Sequence, residues 1–117
     1  MSYSFFPTEQ FISEARKLKK KYPTIAEDLK ALRNRLKDDP FTGNHALGSN
    51  CYKIRLQITD KHNGKSGGAR IIIQIIIQEK EVHFLSIYDK SVKGDLFEGE
   101  LDKILKKKLM RWRGHQN

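Results

Sequence analysis

The run Arg70 to Gln78 contains six isoleucines and constrains the fold more than any other segment. Branched Cβ atoms disfavour helix and pack well on a pleated surface. Alternation sets Ile71, Ile73, Ile75 and Ile77 on one face. Arg70, Ile72, Gln74, Ile76 and Gln78 occupy the other. So apolar a strand is predicted to lie centrally in a sheet.

The neighbouring segments supply the rest of that sheet. Tyr52, Ile54, Leu56 and Ile58 alternate with Lys53, Arg55, Gln57 and Thr59, which predicts a half-buried strand with a cationic outer face. The polar, Gly-rich stretch Asp60 to Gly68 reads as a turn. Glu79-Lys80-Glu81 is a second turn, and Val82 to Tyr88 a last strand. In that strand Leu85 and Ile87 fall on one face, and Phe84, Ser86 and Tyr88 on the other. Tyr3 to Phe6 reads as a short first strand stopped by Pro7.

Helical periodicity occupies the remainder. Phe11, Ala15, Leu18 and Tyr22 share a face behind a Thr8 N-cap. Ile25, Leu29, Leu32 and Leu36 form the next stripe, behind a Thr24–Glu27 capping box. The tight Tyr22-Pro23-Thr24 link predicts an antiparallel helical hairpin. Phe41 to Asn50 reads as a loop. Leu101, Ile104, Leu105 and Leu109 predict a terminal helix. The expected fold is α+β, ordered β-α-α-β-β-β-α. An N-terminal strand and a helical hairpin pack on one face of a small antiparallel sheet, leaving the other face partly open. Residues 1–117 form one domain, with a basic helix or tail from about residue 96.

Charge points to the partner. The formal net charge is +9. Residues 51–70 contribute +4 and residues 101–117 contribute +5, whereas residues 71–100 carry −3. Concentrated positive charge favours a polyanion such as nucleic acid, against the alternative of a solubilising surface. No apolar run approaches the ~20 residues of a membrane span. The N-terminal residues lack a secretory pattern and Cys51 is the lone cysteine, which together predict a cytoplasmic location. The four histidines have no metal-ligand spacing, so no metal and no small-molecule cofactor is expected. The Gly-rich turn lacks the P-loop pattern.

Three strings in order carry a family resemblance. They are Tyr52-Lys53-Ile54-Arg55, Gly67-Gly68-Ala69-Arg70-Ile71-Ile72, and Phe84-Leu85-Ser86-Ile87-Tyr88-Asp89-Lys90-Ser91. With the elements between them, the chain resembles the RelE/ParE toxin superfamily over roughly residues 3–105. The resemblance implies a RelE-like or HigB-like toxin of a type II toxin–antitoxin module, with a cognate antitoxin as partner. It implies a ribosome-dependent mRNA endoribonuclease, with mRNA and ribosomal RNA as further partners. A ParE-type gyrase inhibitor and an inactive RNA- or antitoxin-binding relative are the alternatives. The chain departs from the arginine-rich RelE pattern where Asp89-Lys90 follows the tyrosine.

The resemblance and the alternation together nominate a site. Arg55, Arg70 and Tyr88 lead the catalytic candidates, with Lys53 and Lys90. Lys61, Lys65, Lys93, Lys107 and Arg111 are the RNA-binding candidates. Arginine's planar fork suits phosphate oxygens. Lys53 or Tyr88 can act as general base only if neighbouring cations depress its pKa, Lys90 can protonate the leaving oxygen, and the sequence assigns neither role. Tyr88 also suits stacking on a base. Without the resemblance, Lys53 and Arg55 read as ordinary solvent-facing residues, Arg70 as an ion-pair partner of Asp89 or Asp60, and Tyr88 as strand-end packing.

Overall fold

A computed structural model describes residues 2–59 and 68–116. Among these residues the order is β1 (Ser4–Pro7), α1 (Glu9–Lys21), α2 (Ile25–Leu36), β2 (His45–Gly48), β3 (Cys51–Leu56), β4 (Ala69–Ile76), β5 (Glu81–Asp89) and α3 (Glu100–Gln116). The strands form one sheet in the order β1-β5-β4-β3-β2. The isoleucine-rich strand is central, as its composition requires.

Two features extend the expected architecture. β1 pairs parallel with β5, which makes the sheet mixed. The segment read as a loop contains β2, which pairs antiparallel with β3. Ser49 and Asn50, with φ of 54° and 60°, make the reversal between them. A two-residue hairpin favours this left-handed geometry at both central positions.

The principal core lies between the hairpin and the sheet. Ile54, Ile71, Ile73, Ile75 and Val82 are fully buried beneath Phe11, Ile25, Leu32 and Leu36. Full burial of each isoleucine contributes about 1.5–3 kcal/mol. The Thr8 hydroxyl caps α1 by accepting from the Phe11 amide at 3.2 Å. The second expected cap does not form. Thr24 adopts a helical conformation and donates to Asp28 instead, at 3.3 Å. Asp28 then accepts from the Thr59 amide at 3.1 Å and its hydroxyl at 2.6 Å, fastening α2 to the chain leaving β3.

β1 ends before β5 does, and α1 covers the edge left open. The Thr8 amide donates to the Phe84 carbonyl at 2.9 Å. Glu14 accepts from the Ile87 amide at 3.2 Å and the Ser86 hydroxyl at 2.8 Å. The Phe84 carbonyl and the Ile87 amide, edge groups that would otherwise invite another strand, are thereby satisfied.

The face opposite the hairpin is more covered than the sequence suggested. Ile72, Leu85, Cys51 and Tyr88 form a second cluster with Ile104, flanked by Leu101 and Leu105 of α3. Beside this cluster, Arg55 is exposed and Lys53 and Arg70 are half-buried.

β5 departs from simple alternation. Ile73 pairs with Phe84 and Ile72 with Ser86, leaving Leu85 as an extra residue. A bulge of this kind shifts the side-chain phase by one. Phe84 and Ile87 therefore both join the principal core, while Leu85 and Tyr88 join the opposite cluster. The expected grouping of Leu85 with Ile87 is corrected by this bulge.

Candidate functional site

The sheet register assembles the leading candidates into one row. Arg55 of β3 is opposite Arg70 of β4, and Arg70 is opposite Tyr88 of β5. Paired residues share a face, so all three emerge away from the helical hairpin. The next row places Lys53 opposite Ile72 on the same face. Like charges set directly opposite repel, and an anion bound between them relieves that repulsion. Arg55 is exposed and Arg70 half-buried. Arg70 donates to its neighbour's carbonyl, Ala69 O, at 3.2 Å.

Gly68 sets the entry to this row. Its φ is +77°, and a Cβ there would collide with the Leu56 carbonyl oxygen. Its own carbonyl accepts from the Lys90 amide at 3.0 Å. Close backbone approach at one glycine thus brings the start of β4 against the ends of both β3 and β5.

The chain leaving β5 is tied down at Asp89. This buried carboxylate accepts from the Tyr22 hydroxyl at 3.0 Å, and from the Ser91 amide and hydroxyl at 3.0 and 2.7 Å. Lys21 lies 3.6 Å away. Beyond it, the Lys90 ammonium donates to the Gly94 carbonyl. Lys93 pairs with Glu100. Its ammonium also lies 5.3 Å from the Tyr88 ring centre and 5.1 Å from that of Phe97. Phe97 itself is 73% exposed.

An acid that sequence reasoning missed stands among these cations. Asp95 Oδ1 accepts from the Tyr88 hydroxyl at 3.4 Å and from Lys53 Nζ at 3.4 Å. The Leu96 amide first, then Lys53 and Tyr88, hold the Asp95 carboxyl below its usual range. Burial first, then the Asp95 carboxylate, push the Tyr88 phenol up to about 12, against a weaker opposing pull from Arg70. The expected depression of the tyrosine is therefore reversed. Tyr88 stays protonated near neutrality and donates to Asp95.

The remaining candidates are dispersed. Lys107 and Arg111 line a cleft between α1 and α3 with Glu9 and Glu14, and Arg111 pairs with Glu9. The structure does not bring them to Tyr88. Lys61 and Lys65 lie outside the described residues. A larger groove, of about 980 Å³, is lined by Leu32 and Arg35 of α2, His45 of β2, and Lys53 and Arg55. Among the described residues, no group of three His, Cys, Asp or Glu side chains is placed to hold a metal. Nor is any helix there long and apolar enough to cross a membrane.

No family model and no curated protein matches the sequence. Solved structures do match. E. coli toxin RelE, in a free-state form with two arginines replaced by alanine, aligns at a TM-score of 0.60 with 25% identity, covering 80% of this chain and 90% of its own. The intact E. coli RelBE toxin–antitoxin complex aligns at 0.56 with 28% identity, covering 73% and 93% respectively. The RelBE2 complex of Mycobacterium tuberculosis matches in fold, at 0.56 with 14% identity, covering 75% and 91%. Three helices on a five-stranded mixed sheet, with the register described above, constitute a RelE-like α+β fold. The chain is accordingly placed in the RelE-like toxin superfamily.

Proposed function

We propose that this protein is the toxin of a type II toxin–antitoxin module and cleaves mRNA on the ribosome. The observation that carries the reading is the Arg55–Arg70–Tyr88 row, with Lys53 one step along the same face. RNA brings its own nucleophile, the 2′-hydroxyl. Cleavage forms a bond from that oxygen to phosphorus, its proton passing to solvent, and breaks the bond to the 5′-oxygen, which takes up a proton. The products are a 2′,3′-cyclic phosphate and a free 5′-hydroxyl. The chain's task is to align these groups and stabilise charge gathering on the phosphate.

Each residue has a part consistent with its position. Arg55 and Arg70 grip the non-bridging oxygens, for which the guanidinium fork is shaped. Tyr88, protonated, donates to the phosphate or the departing oxygen. Lys53 adds a further cation, and Lys90 and Lys93 line the exit segment. Phe97 offers an exposed ring for base stacking. No step calls for a metal or cofactor.

The antitoxin partner is proposed on the strength of the neighbours, two of which are toxin–antitoxin complexes. Its neutralising segment is expected to be acidic or amphipathic, complementing the basic strip.

The test is inducible expression in bacteria with mapping of new mRNA 5′ ends within minutes. Cuts confined to translated regions, at regular places within codons, support the proposal. Growth arrest with intact mRNA and DNA damage would replace it with the gyrase-inhibitor reading. Absence of any growth effect would refute an autonomous toxin.

A further inference from the structure

Asp95 is out of place in a site built for phosphate. Its carboxylate receives one bond from Lys53 and one from Tyr88, both at 3.4 Å. These two donors come from different strands, β3 and β5, and converge on one oxygen. Its second oxygen lies 3.5 Å from the same lysine. A carboxylate presents two anionic oxygens from one centre, as a phosphodiester does with its non-bridging pair.

The contacts are also suited to release. Bonds at 3.4 Å are long for charged groups. The Asp95 side chain is 63% exposed and sits in the segment between β5 and α3. Its one short bond is local, from the Leu96 amide at 2.8 Å. That bond holds the side chain near the site without burying it.

We infer that the Asp95 carboxylate occupies the seat of an RNA phosphate, and that RNA binds by displacing it from Lys53 and Tyr88. The inference rests on the site proposed above and assigns its resting state. Asp95 supplies the anion that satisfies the Lys53 ammonium and the Tyr88 hydroxyl when no substrate is present. It also weakens the hold on any RNA that contributes a phosphate and little else. Productive binding then depends on contacts elsewhere, along the strip or on a larger assembly, that offset the displacement.

The probe is a short, fully 2′-O-methylated RNA oligonucleotide, which lacks the nucleophile and is not cleaved. Binding is measured by fluorescence anisotropy at low salt for wild type, Asp95→Asn, Lys53→Ala and the double variant. A parallel Asp102→Asn variant removes an exposed charge of α3 outside the site. Asp95→Asn is expected to bind about three- to tenfold tighter, the scale of a partly screened charge pair. The gain should shrink in the Lys53→Ala background, where the contested donor is gone. Asp102→Asn should change affinity by less than about twofold, as an exposed charge without a partner at the site. An equal gain from Asp102→Asn would reduce the effect to net charge and overturn the inference. So would measurable wild-type binding that Asp95→Asn leaves unchanged or weakens, with the proposed site untouched. No binding by either wild type or Asp95→Asn would overturn the inference and the site together.

Discussion

Arg70 lies directly opposite Tyr88 on the β4–β5 ladder, so a guanidinium and a phenol emerge side by side away from the helical hairpin. Neither position is adjacent in sequence, and the pairing exists only once the sheet has formed. Substitution of each tests whether the pair acts on RNA. Tyr88→Phe removes a single hydroxyl and should lower cleavage by about 10²-fold, the scale of a positioned proton donor. Arg70→Lys keeps the charge but loses the fork. It should cost about tenfold or more, since one charge-assisted hydrogen bond contributes roughly 1.5–3 kcal/mol. Single-turnover cleavage of ribosome-bound mRNA by the folded variants provides the check. Full activity in both would remove these residues from the chemistry.

The Tyr88 phenol should titrate well above the ordinary tyrosine value. Burial and the Asp95 carboxylate raise it from an ordinary 10.0 to about 12. The folded chain therefore holds this proton more tightly than the unfolded chain. The associated stability is complete below pH 10 and is lost as the pH rises toward 12. Asp95→Asn should lower the value, because it removes the negative charge beside the hydroxyl. Ring-labelled tyrosine NMR across this range reads the titration directly. A Tyr88 signal titrating at the ordinary value would contradict the geometry.

Cys51 should be inert in the folded protein. It is 1% exposed, and burial raises its thiol to about 11, opposed by Lys108. Thiolate is the reactive form, so both access and ionisation are withheld. Alkylation by iodoacetamide should be slow in native protein and become rapid in denaturant. Native reactivity equal to that of free cysteine would show that α3 does not protect this face.

Gly68→Ala should destabilise the fold by roughly 1–3 kcal/mol, the scale of a strained backbone position. The added methyl meets the Leu56 carbonyl, and the φ of +77° is unfavourable for alanine. Gly43 supplies the comparison, since it has a φ of +81° but open space around it. Gly43→Ala should cost distinctly less. Chemical denaturation of the two variants separates collision from backbone strain, and equal losses would exclude the collision.

Much of this arrangement is legible from side-chain periodicity. The isoleucines of β4 announce a central strand, and the Phe11 and Ile25 stripes identify the hairpin that covers it. The Arg55 and Lys53 alternation also marks a cationic face. What escapes is decided by the backbone or by distant pairings. β2 is four residues long, brings only Leu47 to a hydrophobic cluster, and is paired with β3 through its backbone, so it carries no periodic stripe to read. The Leu85 bulge is invisible because Phe84 to Ile87 contains suitable residues for either phase. Asp95 has no local pattern at all, and its relation to Lys53 spans 42 residues of sequence. Only folding brings that acid to the cations.

The extra residue at Leu85 also imposes an arithmetic of parity on β5. Strand faces are binary, so one residue without a ladder partner exchanges odd for even numbering on each face for everything that follows. Phe84 reaches the principal core before the exchange, and Tyr88 reaches the opposite face after it. Deleting Leu85 would leave Phe84, Ser86, Ile87 and Tyr88 in plain alternation on the ladder partners they already have, so the bulge would vanish and the tyrosine would still face outward. Changes in strand length by two would preserve its direction. Odd and even spacings can thus reach the same outward face, one without a bulge and the other with it, and a count of residues between the two positions predicts which relatives need the bulge.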